Sequence, residues 1–363
     1  MALYARLDAF VAGLEQRLGR LAPFAVGAAG LALACLWVHP ASEPQGIGNY
    51  YTWLSMNPFG NATRNPVAFR PLTPWISWVF GLRGAALRYT NLFFAGVLLA
   101  CVYEWFRRQA PRPGDALLAS AVLCFSGVTL GVVFSPFYCD ALTLLVAFGM
   151  WCTRKRPVLF YALFAIGLFN RESLLFLVPW FAFLELAESP RRARTFATEI
   201  AGYGVALALY AAFRAWSAQQ APVEYDLDYY LGPLADDPLH FFRQSARYQW
   251  AGFYSVFGPA WAIAVAGVVA MWQRGDRARP LGLALLLVSV WAQLWVAVDS
   301  TRLFALAFPA MILALEELFR SGAFRFREWA PWLVLLQALA PPTQAASNRF
   351  WAMDSQWAWH LWR

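Results

Sequence analysis

The sequence predicts an all-α polytopic membrane protein with about eleven transmembrane helices. Three observations predict it. The chain is 60% hydrophobic and only 14% charged, where a soluble domain carries about 25% charged residues. Several near-uncharged apolar runs approach the roughly 20 residues needed to cross a bilayer. The basic residues gather in short clusters between alternate runs, which is the pattern of cytoplasmic loops.

Residues 1–20 are amphipathic, with Leu3, Leu7, Phe10, Val11 and Leu14 at helical spacing and Arg6, Arg17 and Arg20 between them. That suits an interfacial helix on the cytoplasmic face. No cleavable signal is expected, because this amphipathic stretch precedes the first apolar run and more runs follow. Residues 21–38 form the first span, about 27 Å long at helical rise.

Residues 39–82 then read as a long extracytoplasmic loop. A loop of this length is functional or disordered. Tyr50, Tyr51, Trp53, Phe59, Phe69 and Trp75 make it too aromatic for disorder. The expectation is a structured loop lying on the membrane. Pro71 and Pro74 suit a helix start. Residues 72–82 are expected to form a short re-entrant or interfacial helix, since a crossing there would turn the next basic loop outward.

Further spans are expected at 86–106, 114–134, 137–153, 157–170, 172–187, 195–216, 249–272, 280–298, 302–318 and 329–346. The run 157–170 has fourteen residues, about 21 Å, too short for a roughly 30 Å core. The turn Asn170-Arg171-Glu172 is therefore expected inside the outer membrane boundary, shielded by protein or lining a wet cavity. Residues 218–247 read as a second outer loop, with Glu224, Asp226, Asp228, Asp236, Asp237, Arg243 and Arg247. The tail 347–363 holds Trp351, Trp357, Trp359 and Trp362 and reads as an interfacial belt.

Five clusters fix the orientation: Arg107/Arg108/Arg112, Arg154/Lys155/Arg156, Arg191/Arg192/Arg194, Arg274/Arg277/Arg279 and Arg320/Arg325/Arg327. They place the amino terminus in the cytoplasm and the carboxyl terminus outside. The whole chain, 1–363, reads as one transmembrane domain. Neither a fixed-period repeat nor an inverted pair of broken helices is visible, which argues against common transporter designs.

The net charge of +8 does not point to nucleic acid, because the basic residues belong to membrane loops. Cys35, Cys101, Cys124, Cys139 and Cys152 lie in or beside apolar runs without a CxxC spacing, and read as small buried hydrophobes. His39, His240 and His360 have no partner at metal-ligand spacing. No metal site or other cofactor is expected, although the sequence leaves a divalent metal open. Asn61-Ala62-Thr63 matches a glycosylation sequon, and reads as a chance match.

Candidate chemistry lies on the outer face. Glu43 with Arg64 and Arg70, Asp140, Arg171 with Glu172, and Asp299 with Arg302 come from four separate segments. An ionisable residue inside the membrane boundary is a functional candidate by default. Arginines bind phosphate oxygens bidentately. A carboxylate beside them can act as general base on an acceptor hydroxyl, and apolar helices can hold a lipid tail. Each residue also has a structural reading. Asp299 and Arg302 are at i, i+3 and can simply pair. Arg171 and Glu172 can brace the short helix. Asp140 can cap the helix that follows it. Arg70 can anchor at headgroups. Glu43 and the loop acids can be solvated.

These patches resemble the GT-C superfamily of membrane glycosyltransferases, especially its small bacterial members. The resemblance rests on Tyr50-Tyr51-Thr52-Trp53-Leu54-Ser55-Met56-Asn57-Pro58-Phe59, on Phe69-Arg70-Pro71-Leu72-Thr73-Pro74, on the Asp140 span, on Asn170-Arg171-Glu172, and on Asp299-Ser300-Thr301-Arg302 leading to Phe308-Pro309. It implies transfer of a sugar from a polyprenyl-phosphate-linked donor to a glycan, lipid or protein acceptor on the extracytoplasmic side of a bacterial inner membrane. Arg70, Arg171 and Arg302 would face the donor phosphate, with Asp299, Asn170, Tyr50 and Tyr51 around the substrate. Members of the superfamily usually carry a catalytic acid near the start of the first outer loop. Here that place reads Gly46-Ile47-Gly48-Asn49-Tyr50, and Glu43 is the only acid nearby. The catalytic role then falls to Glu43, Asp140 or Glu172, or the chain is a lipid-binding or transport protein without catalysis. A polysaccharide polymerase or ligase of the O-antigen type is a further alternative, disfavoured by the few arginines in 218–247.

Overall fold

The computed structural model describes residues 2–44, 46–59, 66–189, 192–220, 227–297, 299–322, 326–340, 342–346 and 349–353. Asn61, Ala62, Thr63, Arg64, Arg191, Glu224, Asp226, Arg325, Trp357, Trp359, His360 and Trp362 lie outside the described residues.

The described chain is almost entirely helical. In order, the helices are α1 (Ala2–Leu18), α2 (Ala22–Trp37), α3 (Ile47–Met56), α4 (Leu72–Val79), α5 (Leu87–Gln109), α6 (Pro113–Cys124), α7 (Gly127–Phe134), α8 (Asp140–Thr153), α9 (Pro157–Leu168), α10 (Val178–Glu188), α11 (Arg192–Gln220), α12 (Leu227–Asp236), α13 (His240–Ser245), α14 (Gln249–Phe257), α15 (Trp261–Gln273), α16 (Ala278–Ala292), α17 (Ser300–Phe304), α18 (Phe308–Ser321) and α19 (Phe326–Leu339). A hairpin of β1 (Thr343–Ala346) and β2 (Arg349–Ala352) follows, antiparallel, with Thr343 opposite Ala352 and Ala346 opposite Arg349.

Among the described residues, five helical stretches are long and apolar enough to cross a membrane: Tyr4–Trp37, Gly84–Gln109, Arg194–Gln219, His240–Gln273 and Ala278–Trp295. The bent pair α6 and α7 makes a sixth if it is one span. Helices α8 and α9 are apolar but shorter. The protein is thus an all-α integral membrane protein.

Proline opens α6 and α9 at their first helical position, where its missing N–H costs nothing. Gly322, at φ 58°, ends α18 in the left-handed conformation that glycine adopts freely. The α6–α7 break bends the chain by 52°. There the Ser126 hydroxyl donates to the Leu123 carbonyl at 2.7 Å and the Thr129 hydroxyl to the same oxygen at 2.9 Å. Side chains thus replace the backbone bonds that the bend removes. Helix α18 is buried on every side from Phe308 to Leu318 and forms the centre of the bundle.

Several expected boundaries differ from the structure. The stretch 39–82 contains a full helix, α3, that its glycines and asparagine had hidden. The stretch 218–247 is not an open loop: α11 runs on to Gln220, and α12 and α13 occupy 227–236 and 240–245. The expected span 172–187 opens as a 3-10 helix, Glu172–Leu177, before α10. The expected span 329–346 ends at Leu339, and its last residues are β1. Met353 is packed with Ala34, Val38, Leu130 and Val133 inside the bundle, and of the expected belt Trp357, Trp359 and Trp362 lie outside the described residues.

Candidate functional site

The site is built around the start of α8. Asp140 is in the first turn of that helix, where a carboxylate meets the positive end of the helix dipole. It does not cap the helix: the N-cap position is Cys139, with no side-chain cap. Instead both carboxylate oxygens of Asp140 accept from arginines. Arg171 Nη1 donates to Oδ1, and Arg302 Nε donates to Oδ2 at 2.6 Å. Arg302 Nη1 also donates to Asp299 Oδ2 at 2.8 Å. The Arg302 guanidinium lies 3.8 Å from the centre of the Tyr138 ring, a cation–π contact. The i, i+3 pairing expected of Asp299 and Arg302 is present, but it is one limb of a larger cluster.

The turn after α9 carries Arg171 into place. The amides of Asn170 and Arg171 both donate to the Gly167 carbonyl, at 2.9 and 2.8 Å. Asn170 is fully buried. Its Nδ2 donates to the Cys139 carbonyl and to Thr143 Oγ1, both at 2.8 Å. Its Oδ1 accepts from Thr73 Oγ1 at 2.6 Å. Asn170 therefore clamps α4, the turn and α8 together, and its carboxamide is occupied by protein.

A second ion pair adjoins the first. Arg70 Nε donates to Glu172 Oε2 at 2.6 Å, and the Tyr210 hydroxyl donates to Glu172 Oε1 at 2.7 Å. Helix α4 is tied to the same turn by Leu72 N donating to the Phe169 carbonyl at 3.2 Å. Tyr51 is fully buried between the two pairs. Its hydroxyl accepts from Cys139 Sγ at 3.2 Å and interacts with Arg70. Arg214 stands over the Phe69 ring at 4.2 Å, with no carboxylate partner among the described residues.

The structure thus brings together Arg70, Asp140, Asn170, Arg171, Glu172, Asp299, Arg302 and Tyr51. Glu43 and Tyr50 do not join them. Glu43 is exposed, and no hydrogen bond or ion pair ties it to the cluster among the described residues. Tyr50 is exposed on the turn of α3 beside the buried Tyr51. With Arg214 over the Phe69 ring, the described residues of the cluster count four arginines and three carboxylates, one positive charge in excess.

Beside Asp140 lies a cavity of about 20 Å³, room for about one water. Its polar lining is Asp140, Thr143, Arg171, Thr301, Arg302 and Gln344, and α7 closes its apolar side. Tyr138, Tyr210, Arg214 and Gln344 were not singled out from the sequence. Tyr210 and Arg214 stand at i, i+4 in an apolar run, a polar stripe that could have marked them. Gln344 follows the Pro341-Pro342 pair, a helix-breaking signal. Among the described residues no group of three or more His, Cys, Asp or Glu side chains is arranged to hold a metal ion.

Comparison with protein-family models, with curated proteins and with solved structures finds no match to this chain.

Proposed function

We propose that the protein is a membrane glycosyltransferase of the GT-C type, which takes a sugar from a polyprenyl-phosphate-linked donor at the extracytoplasmic boundary. The proposal includes the eleven-span topology, with the amino terminus in the cytoplasm. The observation that carries it is the convergence of Arg70, Arg171 and Arg302 with Asp140 and Glu172, from four separate segments, in one sheltered place. A purely structural salt bridge needs one partner per charge. Here guanidiniums are shared and, among the described residues, one is in excess, which suits a ligand bearing a phosphate.

The chemistry follows from that geometry. Both oxygens of Asp140 are held by guanidiniums. A donor phosphate competes for Arg171 and Arg302 and so releases a carboxylate oxygen. The acceptor hydroxyl gives its proton to that oxygen as its own oxygen bonds to the sugar's anomeric carbon. The bond from that carbon to the lipid phosphate breaks, and the phosphate leaves with the electron pair, its charge met by Arg70, Arg171 and Arg302. Glu172 is the second candidate for the base.

The test uses the full chain in lipid nanodiscs, with a radiolabelled decaprenyl-phosphate sugar and bacterial envelope fractions as acceptor. Wild type should move the label, and Asp140→Asn should bind donor without moving it. If Asp140→Asn and Glu172→Gln both retain transfer, the catalytic assignment falls. A second reading is favoured by the position of Glu43: with no acid from the first outer loop in the cluster, the protein would bind the lipid-linked sugar without turnover. Donor binding with no label moved by wild type would decide for it.

A further inference from the structure

The cavity beside Asp140 has an unusual hydrogen-bond balance. The hydroxyl of Thr143 donates to the Cys139 carbonyl at 3.0 Å and accepts from Asn170. The hydroxyl of Thr301 accepts from the Ala345 amide at 2.8 Å and shares a proton with Ser255 at 3.1 Å. Each oxygen of Asp140 already accepts from an arginine. Among the buried acceptors of the lining, one is left over. Gln344 is 6% exposed and lines the cavity, and its Oε1 is buried with no hydrogen-bond partner among the described residues. An orphaned buried acceptor is destabilising, so this atom calls for a donor.

The residue is held there by the hairpin. Strand β1 packs against α14, α17 and α7. The Ala345 amide is pinned to Thr301, one residue before Arg302. Beyond β2, Met353 N donates to the Pro342 carbonyl at 2.8 Å and its side chain is buried among α2 and α7. Gln344 therefore enters the site on a fixed support.

We propose that Gln344 is a specificity residue: its Oε1 accepts a hydrogen bond from one hydroxyl of the donor's sugar. This rests on the reading of the arginines as the phosphate site. The sugar is bonded directly to that phosphate, so it lies next to Arg171 and Arg302, the residues that border the cavity. The volume admits a single hydroxyl and not a sugar ring. The cavity thus reads one position of the sugar, while the ring itself stays outside. The substrate class is a polyprenyl-phosphate sugar with a free hydroxyl within reach of the cavity, and a sugar deoxygenated there is rejected, because Oε1 is then left unpaired.

The test measures binding to the full-length protein in nanodiscs. The probes are decaprenyl phosphate and its glucose, galactose, mannose and arabinose conjugates. At least one conjugate should bind wild type about tenfold more tightly than decaprenyl phosphate. Gln344→Met, close in volume to the native residue, should erase that advantage and leave decaprenyl phosphate binding within about twofold. On the wild-type protein, removing one particular hydroxyl from the best sugar should cost about tenfold, and that loss should vanish in Gln344→Met; this second measurement stands if the variant misfolds. An advantage that survives Gln344→Met, or no deoxy sugar bound more weakly, makes the cavity a site for a structural water and overturns the proposal. Arg171→Gln separates the two levels. Decaprenyl phosphate bound equally by wild type and Arg171→Gln refutes the phosphate site, whatever Gln344 does. Failure of wild type to bind any probe refutes both.

Discussion

At the residue scale, the buried charges separate two kinds of energy. Arg70 and Glu172 are each about one-fifth exposed at the side chain, and their pair measures 2.6 Å. Removing one partner of a buried pair leaves an uncompensated charge and costs about 3–5 kcal/mol. Removing both need not. Arg70→Gln and Glu172→Gln should each lower stability clearly, and the double variant by less than the sum, measured by thermal unfolding in nanodiscs. Additive losses would mean that the two side chains do not depend on each other. Arg302 makes a different prediction. It bridges Asp140 and Asp299 while stacking on Tyr138, which requires a planar fork. Arg302→Lys keeps the charge but cannot do all three. Decaprenyl phosphate affinity should fall about tenfold, and unchanged affinity would show that charge alone suffices.

At the element scale, the site depends on close approach of backbones. A Cβ on Gly127 would sit 2.1 Å from the Ser255 carbonyl oxygen, so α7 meets α14 only through glycine. Gly127→Ala must push them apart, at a cost of about 1–3 kcal/mol, and α7 also walls the cavity beside Asp140. Lower thermal stability together with weaker sugar discrimination is expected. Gly204→Ala, where nothing lies within 4 Å, should change neither. The elements also show what could be read without coordinates. Asp140, Arg171, Glu172 and Arg302 were visible because a charge in an apolar run is conspicuous. The 3-10 breaks at Glu172–Leu177, Gly258–Ala260, Gln293–Trp295 and Ala305–Ala307 were not. Apolar periodicity is the same on either side of such breaks, and packing alone sets them. Strand β1 was hidden for a related reason: a short stretch such as Thr343-Gln344-Ala345-Ala346 fits a helix end as well as a strand. Gln344 was lost with it.

At the scale of the whole molecule, the charge pattern gives the bundle a direction. Asp140 opens α8, and Arg154 follows its last residue. Fourteen residues put them about 21 Å apart. At the Arg154 end, Lys155 pairs with Glu185 and Glu188 at 3.1 and 2.7 Å, and Arg154 with Glu188 at 3.1 Å. Three of the other basic clusters are likewise tied down: Arg107 to Glu15, Arg274 to Glu317, and Arg327 to Asp8 and Asp115. These loops are therefore fixed parts of the fold, and their excess of Arg and Lys is the pattern expected of cytoplasmic loops. The orientation can be measured with single cysteines in a variant lacking the five native ones. Glu43→Cys, at an exposed position near the site, should react with a membrane-impermeant maleimide in intact cells. Arg277→Cys, in the loop after α15, should react only after lysis. The reverse result would turn the arginine cluster toward the cytoplasm. A site there could be supplied with nucleotide-activated sugars directly, the need for a lipid-linked donor would disappear, and the glycosyltransferase proposal would lose its substrate, although the cluster itself would still mark an anion site.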